Sequence, residues 1–258
     1  MKHSPINWKV FIILFIGSLI GIIGVIPYSL TLQKDILTEI PIPMEFVIAL
    51  SIVQSAVLFF VIILVGLFLS KKVGFGAPII ERFVEKKDAL PHLKSIIGIS
   101  ITLGIVAGLL IIVGDYIFGM INTTDLSGIT NIPPPWQGFL VSFYGGINEE
   151  ILLRLFFMSL LIWIFVKITR SKQGSPSSTI VWAAIIFSSI LFGLAHLPIV
   201  ASLTTITPLY IARALILNGI GGIIFGWLYW KKGLESAIIS HFTADIILHV
   251  IFPFFLLM

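Results

Sequence analysis

Three charged residues interrupt an apolar run in the second half of the chain, in the stretch "GGINEEILLRLFF" at residues 145–157. Glu149 and Glu150 are adjacent, and Arg154 follows four residues after Glu150. In an α-helix, residues i and i+4 share a face, so Glu150 and Arg154 are expected to pair. Glu149 lies about 100° further round the helix and has no such partner. It is therefore a candidate general base or metal ligand.

Two later segments supply groups that suit the same chemistry. "FGLAH" places His196 at the end of an apolar run, four residues after Phe192. "HFTADIILH" places His241, Asp245 and His249 at i, i+4 and i+8, along one helical stripe. Imidazole and carboxylate groups either bind a divalent metal or polarise a water molecule, and the sequence leaves both open.

Each of these residues also has a simpler interpretation. A lone histidine at a helix end is more often interfacial than catalytic, and adjacent glutamates often mark a solvated helix end. Glu150 and Arg154 alone would make a structural ion pair, and Arg213 either extends towards the membrane surface or pairs with an acid. However, a charge in the middle of a span costs about 2.5 to 3.5 kcal/mol. The whole set therefore predicts a polar site that faces protein or water.

The elements that must position these residues follow from the composition. Of 258 residues, 58% are hydrophobic and only 11% are charged, against about 25% charged in soluble domains. The mean hydropathy is +1.12. These values predict an all-α, polytopic membrane helix bundle in one membrane domain, residues 1–258. There is no cysteine, which excludes disulfides and a cysteine nucleophile.

Seven apolar runs are long enough to span about 30 Å of hydrocarbon. The predicted spans are Trp8–Leu30, Phe46–Leu69, Leu93–Met120, Trp136–Val166, Thr179–Leu197, Leu209–Trp230 and Leu234–Leu257. The first run is longer than a typical signal-peptide core, and no small-x-small cleavage site follows it. We therefore expect a retained helix.

Basic residues alternate between the connections. They occur at the amino terminus and in the loops after spans 2, 4 and 6, whereas the other loops contain only Lys34. The residues are Lys2, Lys9, Lys71, Lys72, Arg82, Lys86, Lys87, Lys94, Lys167, Arg170, Lys172, Lys231 and Lys232. This pattern predicts a cytoplasmic amino terminus and an external carboxyl terminus, and it does not indicate nucleic-acid binding. The loop at residues 71–94 forms either an interfacial helix or a solvated loop.

Depth within the membrane gives a conflicting result. Counted from the cytoplasmic end, Glu149 lies ~27 Å deep and His196 ~25 Å, but His241 lies only ~10 Å deep and Asp245 ~16 Å. His249, at ~22 Å, matches better. Helix tilt, a broken helix at residues 217–226 or a deeper start of the last span would each remove the conflict. The sequence does not decide whether His249 or Arg213 joins the site.

The segments "EEILLR", "FGLAH" and "HFTAD" resemble the EExxxR, FxxxH and HxxxN/D motifs of the CPBP family. That family groups type II CAAX prenyl endopeptidases with bacteriocin-processing and self-immunity proteins, and is also called the Abi family. The resemblance covers residues 135–252, which would form the catalytic region. Residues 1–134 carry no signature of it.

The resemblance implies an intramembrane peptidase of the metallo- or glutamate type. Glu149 would be the general base, and His196 would hold or polarise the water. His241 and Asp245 would bind a metal such as Zn²⁺ or stabilise the oxyanion. Glu150, Arg154 and Phe192 would support the site or bind the substrate. If a metal is used, its ligands would be Glu149, His196, His241 and Asp245.

One position departs from the family pattern. The prenyl endopeptidases have asparagine where this chain has Asp245, and an ionised carboxylate only accepts hydrogen bonds. This difference argues against an oxyanion donor at Asp245 and favours a metal slightly. Hydrolysis is chemically feasible both with a metal-bound water and with a metal-free glutamate as the base.

The expected partners are a peptide or lipid-modified protein substrate and membrane lipid, with no nucleic acid. Two alternatives remain. One is a proton-coupled transporter, since acids and histidines within spans are typical of that class. No repeat relates the two halves of the chain, which argues against it. The other is a non-catalytic immunity or scaffold member of the same family.

Overall fold

The computed structural model describes residues 6–39, 41–121, 131–170 and 175–253, and every regular element in these ranges is a helix. The helices are α1 (Trp8–Leu32), α2 (Lys34–Thr38), α3 (Met44–Val73), α4 (Pro78–Val84), α5 (Leu90–Ile121), α6 (Pro135–Ile168), α7 (Ser178–Ala195), α8 (Leu197–Leu203), α9 (Pro208–Lys232) and α10 (Leu234–Ile251).

Seven helical segments are long and apolar enough to cross a membrane: α1, α3, α5, α6, α7 with α8, α9 and α10. The predicted all-α polytopic bundle is confirmed. Lys2, Lys172 and the predicted end of the seventh span at Leu257 lie outside the described residues.

Helix ends follow ordinary capping chemistry. The side chain of Thr207 accepts a hydrogen bond from the backbone N–H of Tyr210, and Pro208 occupies the first turn of α9. α9 ends at Gly233, whose φ of 96° favours glycine, and α10 begins at the next residue. This abrupt junction fixes where the last spanning helix starts.

α6 and α10 lie at the centre of the bundle. α6 packs against α1, α3, α7 and α10, while α10 also packs against α5 and α9. In the spanning windows of α6, α10 and the α7–α8 segment, 44% of residues are buried, against 28% in α5. Large apolar side chains on the outer helices, such as Phe46 and Val57, are exposed. This arrangement is that of a multi-pass membrane protein, in which outer side chains face lipid.

The loop between α3 and α5 covers the start of α10. The backbone N–H of Leu234 donates to the carbonyl of Gly76 (3.0 Å), and that of Ile80 donates to Glu235 Oε1 (2.8 Å). Leu234 is fully buried and Glu235 is 8% exposed. α10 therefore begins inside the protein, and the loop includes the short helix α4 rather than being wholly solvated.

Candidate active site

The charged stretch of α6 departs from α-helical geometry. Residues Tyr144–Glu149 and Ile151–Met158 form π-helical turns, between α-helical segments Pro135–Phe143 and Ser159–Ile168. π-helical turns are rare and are frequently found at functional sites. They change the angular spacing of Glu149 and Glu150, which was estimated above for an α-helix.

Glu150 is the buried anchor of the site. Its side chain is 0% exposed and pairs with Arg154 Nε (Oε2, 3.2 Å), which is also 0% exposed. His241 Nδ1 lies 2.8 Å from Glu150 Oε1. Arg154 Nη2 donates to the carbonyl of Gly222 in α9 (3.4 Å). The ion pair of Glu150 and Arg154 expected from the i, i+4 spacing is present. Glu150 also links α6 to α10 through its hydrogen bond with His241.

The ring of His241 is held on three sides. A carboxylate only accepts hydrogen bonds, so Nδ1–H donates to Glu150. The ring stacks on Phe225, with centroids 4.5 Å apart and an interplanar angle of 19°. Nε2 then lies 3.7 Å from Glu149 Oε2 and 3.6 Å from Asp245 Oδ1. Glu149, Glu150, Arg154, His241 and Asp245 therefore form one group, called here the polar cluster.

Access to the three carboxylates differs. The side chain of Glu149 is 23% exposed, whereas that of Asp245 is 11% and that of Glu150 is 0% exposed. A general base must reach water and substrate. Within the polar cluster, Glu149 is the carboxylate best placed to do so.

His196 stands at the edge of this arrangement. Its Nδ1 lies 2.8 Å from the carbonyl oxygen of Phe192, so Nδ1–H donates, and Nε2 of the neutral ring is an acceptor. The ring of Phe192 lies 4.9 Å from that of His196 and 5.6 Å from that of His241. Among the described residues, no hydrogen bond or ion pair joins His196 to Glu149. Any link between them requires a water molecule or the substrate.

The sequence-based depth count contained a conflict that the structure removes, because the last span begins deeper than the count assumed. It separated Glu149 from His241, yet their side chains approach to 3.7 Å. The count placed the start of α10 at the membrane surface, whereas Leu234 is buried beneath the preceding loop. It also assumed an α-helical rise through α6, although much of that segment is π-helical.

The two undecided residues make their direct contacts elsewhere. His249 Nδ1 and the hydroxyl of Tyr28 in α1 lie 3.3 Å apart. Arg213 pairs with Asp115 of α5, with Nη2–Oδ1 and Nε–Oδ1 distances of 2.5 Å and 2.6 Å. Asp115 was not among the residues predicted from the sequence. Asp115 lies near the end of α5 and Arg213 near the start of α9, at a similar level of the bundle. This match in position could have predicted the ion pair.

Gly145 gives the polar cluster room. A Cβ built at this position would collide with the carboxylate of Asp245 and would lie 3.3 Å from His241 Nε2. Nothing in the sequence indicates this need for space, because it depends on how α10 packs against α6.

We expect Gly145→Ala to lower kcat by about 10- to 100-fold, because small misplacements of reacting groups have effects of this size. The added methyl group displaces Asp245 or His241. Gly219→Ala is the matched control, since a Cβ there meets nothing within 4 Å. Steady-state turnover kinetics of both purified variants test this prediction, and equal kcat values would contradict it.

The four predicted metal ligands do not form a ready metal site. Within the described parts of the chain, no group of three or more His, Asp or Glu side chains is arranged to hold an ion. His196 and His241 each use Nδ1 for a hydrogen bond, to the carbonyl of Phe192 and to Glu150, which leaves Nε2 of both rings available. Histidine ligands of metals are commonly oriented in this way. The described residues therefore offer ligands of suitable chemistry but no preformed group that would hold a metal ion.

One comparison with known proteins gave a match. Residues 131–247 match a protein-family model described as "Type II CAAX prenyl endopeptidase Rce1-like". The matched region contains the polar cluster, Phe192 and His196. No curated protein and no solved structure matched the chain.

Proposed function

Because this chain belongs to the CPBP family, the intramembrane protease family that includes the type II CAAX prenyl endopeptidases, we propose that it is a glutamate-type intramembrane endopeptidase. It hydrolyses a peptide bond of a membrane-associated protein or peptide. Glu149 activates the water, and the rest of the polar cluster with His196 completes the site.

One observation carries this proposal. Glu149 is the most exposed of three carboxylates around one imidazole, while the least exposed, Glu150, fixes that imidazole through Nδ1. In many catalytic sites the reactive side chain contacts a second side chain, and a third side chain orients the second. In a merely structural cluster, by contrast, Glu149 would need no exposed surface.

The reaction proceeds by attack of water on the peptide carbonyl. Glu149 takes a proton from the water as the water oxygen bonds to the carbonyl carbon. His196 Nε2, an acceptor, holds the second hydrogen of that water. When it carries a proton, His241 Nε2 donates to the oxyanion. Glu149 then returns the proton to the amide nitrogen as the carbon–nitrogen bond breaks.

The test is cleavage by the purified protein in detergent or proteoliposomes. Peptides ending in a CAAX sequence, with and without a prenyl group, are suitable first substrates. We expect cleavage that persists after chelator treatment, in preparations whose metal content is far below one ion per chain. Cleavage lost with a chelator and restored by Zn²⁺ would instead support the metal alternative.

Two other functions predict different results. A proton-coupled transporter would move a solute across proteoliposome membranes without cutting peptides. A non-catalytic immunity or scaffold protein would bind a peptide and release it intact. Peptide cleavage that depends on Glu149 excludes both.

The orientation proposed for the membrane places the amino terminus in the cytoplasm. The cysteine-free sequence allows a direct test with single cysteines. Ser202→Cys, exposed on α8, should react with an impermeant maleimide in intact cells. Glu85→Cys, exposed after α4, should react only after permeabilisation. The opposite labelling pattern would reverse the orientation.

A further inference from the structure

A cleft of about 870 Å³ lies between the start of α1 and the turn after α4. Its principal lining residues are Lys9, Ile12 and Ile13 from α1, and Phe83, Lys86 and Lys87 from α4 and the turn. None of its lining residues belongs to the polar cluster. This cleft, called here the lysine cleft, therefore has no part in the proposed hydrolysis.

The lysine cleft has a surplus of positive charge. Three lysines line it, against one acid, Asp88. Asp88 Oδ1 already accepts a hydrogen bond from the backbone N–H of Leu90 (3.0 Å). Lys87 pairs with Glu85 (2.6 Å) at the surface. Lys9 and Lys86, both exposed, have no ion-pair partner among the described residues.

The backbone at Lys86 is unusual for a lysine. Its φ is 56°, in the left-handed region, and the N–H of Lys87 donates to the carbonyl of Arg82 (2.9 Å). This is the helix-ending turn in which glycine is strongly preferred, because other residues are strained there. Where many helices have glycine at this position, this chain has Lys86, whose side chain places a positive charge beside the cleft.

Apolar side chains continue from these charges along the membrane-facing surface. Ile12 is 52% exposed and Phe83 is 70% exposed, and Ile13 is also accessible. Trp8, at the start of α1, is exposed as well, and tryptophan is enriched at the membrane–water interface. The lysine cleft therefore joins a basic group to an apolar wall at the level expected for lipid headgroups.

We propose that the lysine cleft binds an anionic phospholipid. The phosphate lies between Lys9 and Lys86, and an acyl chain lies along Ile12 and Ile13 of α1. Basic pockets at the membrane surface bind acidic headgroups in this way. A free phosphate ion would satisfy the lysines but would leave the apolar wall exposed, so the lipid is the better occupant.

The test compares two double variants of the full-length purified protein. Lys9→Gln/Lys86→Gln removes two charges from the cleft, and Lys71→Gln/Lys72→Gln removes two charges at the end of α3 as the matched control. Native mass spectrometry with phosphatidylglycerol and phosphatidylcholine measures the preference for the anionic lipid. Thermal unfolding checks that both variants are folded.

We expect the preference of the cleft variant for phosphatidylglycerol over phosphatidylcholine to fall roughly fivefold for each lysine removed. The control variant should keep the wild-type preference. Excess inorganic phosphate should not displace phosphatidylglycerol from the wild-type protein. The proposal is overturned if the cleft variant keeps the wild-type preference or if both variants lose it equally. Displacement by phosphate would identify a simple anion site instead of a lipid site.

Discussion

Glu149→Ala is expected to abolish peptide cleavage while leaving the protein folded. Glu149 is partly exposed at the edge of the polar cluster. Its only ion-pair partner among the described residues, His241, remains bonded to Glu150 when Glu149 is removed. No buried charge therefore loses its partner. Loss of a general base lowers the rate by about 10² to 10⁴. Comparing kcat/KM with circular dichroism and size-exclusion profiles separates loss of chemistry from loss of structure.

Two further variants sharpen this experiment. Glu149→Gln keeps the shape of the side chain but removes the base, so it should be as inactive as the alanine variant. Glu45→Ala removes an exposed carboxylate in the first turn of α3 and should cleave normally. If Glu149→Ala cuts at the wild-type rate, the proposed function is wrong. If Glu149→Gln remains active while Glu149→Ala is inactive, the side chain of Glu149 forms hydrogen bonds but does not act as a base.

Sequence patterns were sufficient for the parts of this molecule that depend on local spacing. Apolar runs predicted the seven spans, and the i, i+4 spacing predicted the pair of Glu150 and Arg154. Both depend on helix geometry and hydrophobicity along a single segment. They require no knowledge of how one helix sits against another.

Relations between segments were harder to predict. The contact of Glu149 with His241 depends on how deeply α10 begins, which the loop around Gly76 and Ile80 determines. The π-helical turns of α6 have no recognised signature in the sequence. The bond from Glu150 to His241 was missed because Arg154 already satisfied that carboxylate within its own helix.

Arg154→Ala is expected to destabilise the whole bundle as well as to stop cleavage. Glu150 and Arg154 are both 0% exposed, so removal of the guanidinium leaves a buried carboxylate with only His241 as partner. Removing one member of a buried ion pair typically lowers the free energy of unfolding by about 3 to 5 kcal/mol. Glu150 orients His241 through Nδ1, so loss of the arginine that holds Glu150 also disturbs the orientation of His241.

Arg213→Ala is the matched control, because it breaks an ion pair of the same chemistry outside the polar cluster. The side chains of Arg213 and Asp115 are 30% and 41% exposed, and partly exposed pairs contribute only about 0 to 1 kcal/mol. Denaturant unfolding in detergent should therefore show a much larger loss for Arg154→Ala, while Arg213→Ala keeps its cleavage activity. Equal losses of stability would contradict the central role assigned to the buried pair.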